Sequence, residues 1–122
     1  MLRNILFVAF GGSIGSIFRY LMGFIINTKK IPVATFTVNI SGSFFIGLLM
    51  GYIIKESNAQ TWQLLLVTGF CGGFTTFSTF SWDIIVMLQQ QRYSTALFYI
   101  TATVLCGVVF TFLGLQLAKY LS

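Results

Sequence analysis

The sequence predicts an all-α integral membrane protein with four transmembrane helices in each subunit. Of the 122 residues, 57% are hydrophobic and only 7% are charged, which is too apolar for a chain whose surface faces water. The apolar residues fall into four stretches, each long enough for a helix to cross a hydrocarbon core. These stretches are residues 5–27, 33–54, 62–88 and 95–118. The connections between them are short, so we expect residues 1–122 to form a single transmembrane domain.

The first stretch is a membrane span and not a cleavable signal, because it is long, contains Arg19 and lacks a small-residue cleavage pattern. Arg19 lies more than halfway along it, in GGSIGSIFRY. A guanidinium at that depth is costly in lipid and usually faces a protein interior or a water-filled cavity. Two interpretations stay open: the side chain snorkels to the interface beside Tyr20, or it acts as an anion-attracting vestibule or structural anchor.

The second stretch carries a polar stripe, because Thr35, Asn39 and Ser43 are spaced four apart. The Asn39 amide offers two N–H donors to an anion or to a neighbouring carbonyl. Taken alone, such a stripe is more typical of hydrogen bonding between helices than of a permeation path.

The third stretch contains GFCGGFTTFSTFSW near its middle. Gly72-Gly73 followed by Thr75-Thr76 has poor helix propensity, so we expect a break there. Irregular backbone at membrane depth is tolerated only where it is buried in protein or lines a cavity. The carbonyls that end the first half-helix suit a cation, and the amides that begin the second suit an anion.

Two aromatic residues follow the break. Phe77 and Phe80 are three apart and share a helical face, and the positive edge of an aromatic ring can stabilise an anion. Packing is the more usual role for a Phe pair. The neighbouring hydroxyls of Ser78 and Thr79 favour the ion-path interpretation.

The basic residues that flank the spans are balanced between the two sides of the membrane. Three lie with the termini and the second connection, and three lie on the other side; these are Arg3, Lys55 and Lys119 against Lys29, Lys30 and Arg92. Equal counts give no preferred orientation under the positive-inside rule, which favours dual topology and an antiparallel homodimer with a twofold axis in the membrane plane. The alternative is that charge density near the first helix still decides the orientation.

Glycine spacing also fits close helix association. Three glycine pairs are four residues apart, the spacing that lets helix backbones approach in lipid; they are Gly11 and Gly15, Gly47 and Gly51, and Gly69 and Gly73.

Several functional classes are disfavoured. Histidine is absent, which excludes a histidine-based triad and a HExxH zinc site. Cys71 and Cys106 fall within apolar spans, where we expect neither a disulfide framework nor a metal site. The basic residues are scattered at span ends, so the net charge of +5 does not indicate nucleic-acid binding.

At this point the chain resembles the CrcB/Fluc family of small fluoride channels. The matching segments are GGSIGSIFRY, TFTVNISGSFFIG and GFCGGFTTFSTFSWD. Together with length and span number, the resemblance covers essentially the whole chain. It implies a multi-pass protein of the cell inner (plasma) membrane, a dual-topology dimer with two antiparallel pores, and a passive fluoride channel that lets trapped cytoplasmic fluoride leave.

The resemblance also implies roles for individual residues. The expected fluoride pathway comprises Asn39, Phe77, Ser78, Thr79, Phe80, Tyr99 and Thr103. Thr101 is a rival to Thr103, and Asp83 has no assigned role. The main-chain carbonyls of Gly72 and Thr75 would hold a structural sodium ion on the dimer axis, and Arg19 would lie near an aqueous vestibule.

Three other functions remain as alternatives. A small multidrug exporter has a similar length and span number, but needs an acidic residue in its first span, where this chain has Arg19. A structural subunit would pack the same glycines and aromatics without an ion path. An intramembrane enzyme is disfavoured, because no nucleophile and base pair is evident.

Overall fold

The computed structural model describes residues 1–26 and 30–122, and the regular structure of this part of the chain is helical. Helix α1 is Leu2–Ile25 and α2 is Val33–Ile53. The third span is divided into α3, residues 59–74, and α4, Phe77–Gln89. Helix α5 is Tyr93–Leu121. Asn27, the predicted end of the first span, and the loop residue Lys29 lie outside the described residues.

Four spans in the described part of the chain are long and apolar enough to cross a membrane, with mean hydropathies from 1.3 to 2.2. This confirms the prediction of an all-helical protein with four spans. Many large apolar side chains are exposed along the helices, among them Phe10, Phe98 and Val108. Such a surface suits lipid rather than water.

The third span is broken near its middle, at Thr75 and Thr76 rather than at the predicted glycine pair. Both threonines have extended backbone, with ψ of 159° and 114°, whereas Gly72–Phe74 is helical. The Thr75 hydroxyl donates to the Cys71 carbonyl at 2.8 Å. The Thr76 hydroxyl caps α4 by accepting from the Thr79 amide at 3.1 Å. The threonine hydroxyls therefore end one helix and start the next.

Gly69 and Gly73 of the third span serve packing against α1 instead of the break. A Cβ at Gly73 would crowd the Gly12 carbonyl at 2.5 Å, and one at Gly69 would lie 3.1 Å from the Gly11 Cα. In the other direction, a Cβ at Gly15 would overlap the Phe70 carbonyl. Helix α3 is π-helical over Gln63–Cys71. The contact at Gly69 and Phe70 therefore lies on the π-helical segment, and the contact at Gly73 lies just after it.

Helices α2 and α5 pack together along their lengths in the same way. A Cβ at Gly47 would overlap the Thr111 carbonyl, and one at Gly114 would overlap the Phe44 carbonyl. The glycine pairs singled out in the sequence thus bring helices together within one subunit.

The break redirects the third span from one helix to another. Helix α3 lies along α1, whereas α4 packs against α5. A small core of Phe80, Met87, Ala96 and Tyr99 joins α4 to α5. The helices form two pairs, α1 with α3 and α2 with α5. The extended threonines lead the chain from α3, in the first pair, to α4, which packs against the second pair through α5.

Candidate ion pathway

Asn39 holds the break from the neighbouring helix α2. Its side-chain oxygen accepts from the Thr76 amide at 2.8 Å, and its side-chain nitrogen donates to the Thr76 carbonyl at 3.1 Å. The two bonds replace those that Thr76 would make in a continuous helix. One N–H of the Asn39 amide is therefore committed to the protein, and its second N–H is the donor that remains for an anion.

The hydrogen bonds at the break occupy some of its carbonyls and not others. Those of Cys71, Gly73 and Thr76 accept from Thr75, Arg19 and Asn39, respectively. Among the described residues, the bonds found at the break do not involve the Gly72 or Thr75 carbonyl. These are the two carbonyls expected to hold sodium, so the donor set fits a small hard cation.

Arg19 is anchored to the break. Its Nε donates to the Gly73 carbonyl at 2.9 Å, which places a cation at the negative end of α3. The half-buried side chain also lines an open groove of about 750 Å³ with Ser16, Tyr20 and Phe24. Both the anchor and the vestibule interpretations of Arg19 thus have a structural counterpart. The Nε contact is directed into the protein and not towards the membrane interface, where the snorkelling interpretation would place it.

A cleft of about 280 Å³ brings together four of the expected pathway residues. They come from α2, α4 and α5, and they are Asn39, Phe77, Phe80 and Thr103. Ser43 and Gly107 also line this cleft. Side chains distant in the sequence therefore share one cavity beside the break.

The two phenylalanines of the cleft lie in different environments. Their ring centroids are 5.9 Å apart, but Phe80 is only 7% exposed and Phe77 is 78% exposed. Phe80 is held by the Tyr99 ring at 5.1 Å. Phe77 contributes to the cleft from its open side, so its outer surface is available to another molecule.

Thr103 carries a hydroxyl without a protein partner. Among the described residues it is the buried side-chain polar atom for which no hydrogen bond is found. Buried polar atoms are usually hydrogen-bonded, so an unpaired donor beside the cleft suits a polar ligand. Thr101 is exposed and is absent from the lining of this cleft.

Tyr99 lies on the other side of Phe80 and contacts Asp83. Its hydroxyl donates to Asp83 Oδ2 at 3.0 Å, and the Tyr99 side chain is 4% exposed. The sequence showed no partner for Asp83. Asp83 lies three residues after Phe80 and so on the same face of α4. This spacing is a signal that could have connected Asp83 with the pathway residue Phe80.

Ser78 and Thr79 do not line the cleft. Ser78 is exposed, and its hydroxyl lies 3.3 Å from the Thr76 hydroxyl. Thr79 offers its backbone amide to Thr76. Sequence reasoning included Thr76 in the expected break but gave it no role, although a threonine directly before an apolar helical run is typical of a helix N-cap.

Comparison with known proteins gives close relatives over nearly the whole chain. Residues 6–115 match the family model described as CrcB-like protein, Camphor Resistance. The chain is 45% identical over 115 residues to a fluoride-specific ion channel FluC 2 of Bacillus cereus, covering 92% of this chain and 94% of that protein.

Two further relatives extend the match. Fluoride-specific ion channel FluC of Flavobacterium psychrophilum is 40% identical over an alignment 124 residues long. This alignment covers 98% of this chain and all of the relative. The protein of that name from Leptospira interrogans (serovar copenhageni) is 42% identical over 123 residues, 96% of this chain and 95% of the relative. The similarity includes both sides of the break and all helices that form the cleft.

Proposed function

The chain belongs to the CrcB-like family, and from this premise we propose that it is a passive, fluoride-selective channel that exports cytoplasmic fluoride across the cell inner membrane. It is a multi-pass membrane protein, and its family is one of channels rather than enzymes. The relatives are named fluoride-specific ion channels. The observation that carries the proposal is the cleft that Asn39, Phe80 and Thr103 line with an amide, an aromatic ring and an unpaired hydroxyl.

The cleft provides the chemistry that a small anion requires. Fluoride is strongly hydrated, so a narrow path must replace its water with donors and must still release it. The Thr103 hydroxyl and the second Asn39 N–H can donate, and the edges of Phe77 and Phe80 carry positive partial charge. Chloride is larger and fits these donors less well. Ser78, Thr79 and Tyr99 extend the proposed path on either side of the cleft.

The functional unit that we propose is an antiparallel homodimer with two pores. The equal numbers of basic residues on the two sides support dual topology. The exposure of Phe77, at 78%, supports a second subunit that covers the open side of the cleft. Neither the pore count nor the pairing is needed for the fluoride proposal itself.

A structural sodium ion at the dimer centre completes the proposal. The Gly72 and Thr75 carbonyls would hold it, because neither takes part in the hydrogen bonds of the break and such carbonyls suit Na⁺. The bound ion would supply positive charge between two facing breaks and so hold the subunits together. Arg19 and Asn39 fix the neighbouring carbonyls of Gly73 and Thr76.

Fluoride efflux from liposomes tests the channel. Purified protein should release trapped fluoride, measured with an electrode, and should leave chloride inside because chloride is larger. Empty liposomes and heat-denatured protein are the controls. Folded protein that releases no fluoride would contradict the proposal.

Exchange of sodium for lithium during purification tests the sodium site. The exchange is expected to slow fluoride efflux; equal rates after verified exchange would count against the sodium site.

Charge balance tests the dual topology. The double variant Ser57→Lys and Gln60→Lys adds two charges to one side, at exposed positions, and should fix one orientation and reduce dimer yield. Adding Gln89→Lys and Ser94→Lys on the other side restores the balance and should restore the dimer. Dimer yield is measured by crosslinking and size-exclusion chromatography. Normal dimers from the unbalanced double variant would exclude an antiparallel pair.

A further inference from the structure

A second cleft of about 400 Å³, away from the break, lies where the α1–α2 and α4–α5 connections meet. Its charged lining residues, within the described part of the chain, are Lys30, Asp83 and Arg92. We call this cleft the basic mouth. The mouth therefore carries two positive charges against one negative charge.

Among residues 1–26 and 30–122, the contacts found at the mouth pair neither cation with a carboxylate. The Arg92 side chain donates through Nη1 to the neutral side-chain oxygen of Gln90, at 3.4 Å. Lys30 is exposed. The Asp83 carboxylate already accepts from the Tyr99 hydroxyl. The mouth thus keeps a net positive charge at one end of the subunit.

A continuous series of contacts connects the mouth with the cleft beside the break. Asp83 lines the mouth and accepts from Tyr99. The Tyr99 ring packs on Phe80 with centroids 5.1 Å apart, and Phe80 lines the cleft with Thr103. Tyr99 belongs to the proposed path, so an anion attracted to the mouth is concentrated near one end of that path.

We propose that the basic mouth is a weak binding site for small inorganic anions that raises their concentration at one entrance of the path. The inference rests on the proposed channel function and adds the entrance and the residues that set its charge. Lys30 and Arg92 attract the anion, and the negative charge of Asp83 offsets part of this attraction, so that binding stays weak. Charge-lined clefts of this kind raise ion encounter rates in a salt-dependent way.

The size of the effect follows from Coulomb's law. A unit charge changed from positive to negative about 10 Å from a passing anion in water changes the local anion concentration about fourfold. The Debye length is about 30 Å at 0.01 M salt and falls below about 10 Å above 0.1 M. The mouth should therefore matter at low ionic strength and lose its influence at high ionic strength.

The test alters the charge after assembly, so that membrane insertion is unaffected. Full-length Lys30→Cys protein is reconstituted in neutral phosphatidylcholine bilayers and labelled with a cationic or an anionic thiol reagent of similar size. Fluoride current is expected to be about fourfold lower for the anionic adduct at about 0.01 M ionic strength. The difference should vanish at about 0.3 M.

Two controls accompany this comparison. Wild-type protein treated with both reagents reports any labelling of Cys71 and Cys106. Lys119→Cys is the matched variant, since Lys119 is exposed and absent from the mouth's lining; its two adducts should differ less than those of Lys30→Cys.

The possible outcomes separate this inference from the channel proposal. Equal currents for the two Lys30→Cys adducts at low ionic strength would overturn the mouth and leave the channel standing. A difference that persists at high ionic strength would also overturn it, because a steric block does not depend on screening. Silent wild-type protein would overturn the channel proposal and the mouth together.

Discussion

Replacement of Phe80 by isoleucine should lower fluoride flux at least about tenfold, the factor that corresponds to roughly 1.4 kcal/mol at a barrier. Isoleucine is apolar and fills part of the same space, but it has no ring edge to present to an anion. Phe80 is buried between Tyr99 and the cleft, so its loss acts on the path directly. Fluoride efflux from liposomes measures the change.

A matched substitution separates the ring's role in conduction from a general effect on folding. Phe98 lies on α5, is 74% exposed and lines neither the cleft nor the basic mouth, so Phe98→Ile should leave flux nearly unchanged. Phe80→Ile should keep its size-exclusion profile, because the lost packing costs only about 1–2 kcal/mol. Normal flux in folded Phe80→Ile protein would remove this residue from the pathway.

Replacement of Asn39 by alanine should impair both stability and flux. The substitution leaves the amide and carbonyl of Thr76 without their partners. Each of the two unpaired buried groups costs about 1–3 kcal/mol, so we expect a loss of roughly 2–6 kcal/mol in the free energy of unfolding. Thermal unfolding in detergent and fluoride efflux measure the two effects.

Ser41 provides the control on the same helix. Its hydroxyl donates to the Thr37 carbonyl within α2 at 2.6 Å, so Ser41→Ala should change stability by about 0.5 kcal/mol or less. If Asn39→Ala loses flux but unfolds at the wild-type temperature, the amide acts on the ion and does not hold the break. If both properties stay at wild-type values, Asn39 has neither role.

Hydropathy was sufficient for the helices, because a span of about 20 apolar residues has few alternatives in a membrane. The position of the break required more. Glycine propensity favoured Gly72 and Gly73, but these residues stay helical where Gly73 meets the backbone of α1. Tertiary packing outweighed local propensity, and the threonine hydroxyls determined where the helices end and begin.

The candidate site could be predicted as a set of residues but not as a geometry. Spacing put Phe77 and Phe80 on one helical face, yet it gave no sign that one is buried and the other exposed. The bonds from Asn39 to Thr76 and from Arg19 to Gly73 join different helices. Such contacts depend on how the spans pack, which no periodicity within one span contains.

The pairing of α1 with α3 has a consequence for biosynthesis. Helix α1 lies mainly against α3 and contacts the next span, α2, only slightly. During synthesis the first two spans leave the ribosome before the partner of α1 exists, so they have little interface to keep them together. Their arrangement is therefore consolidated only when α3 is made, after about half of the chain has been translated.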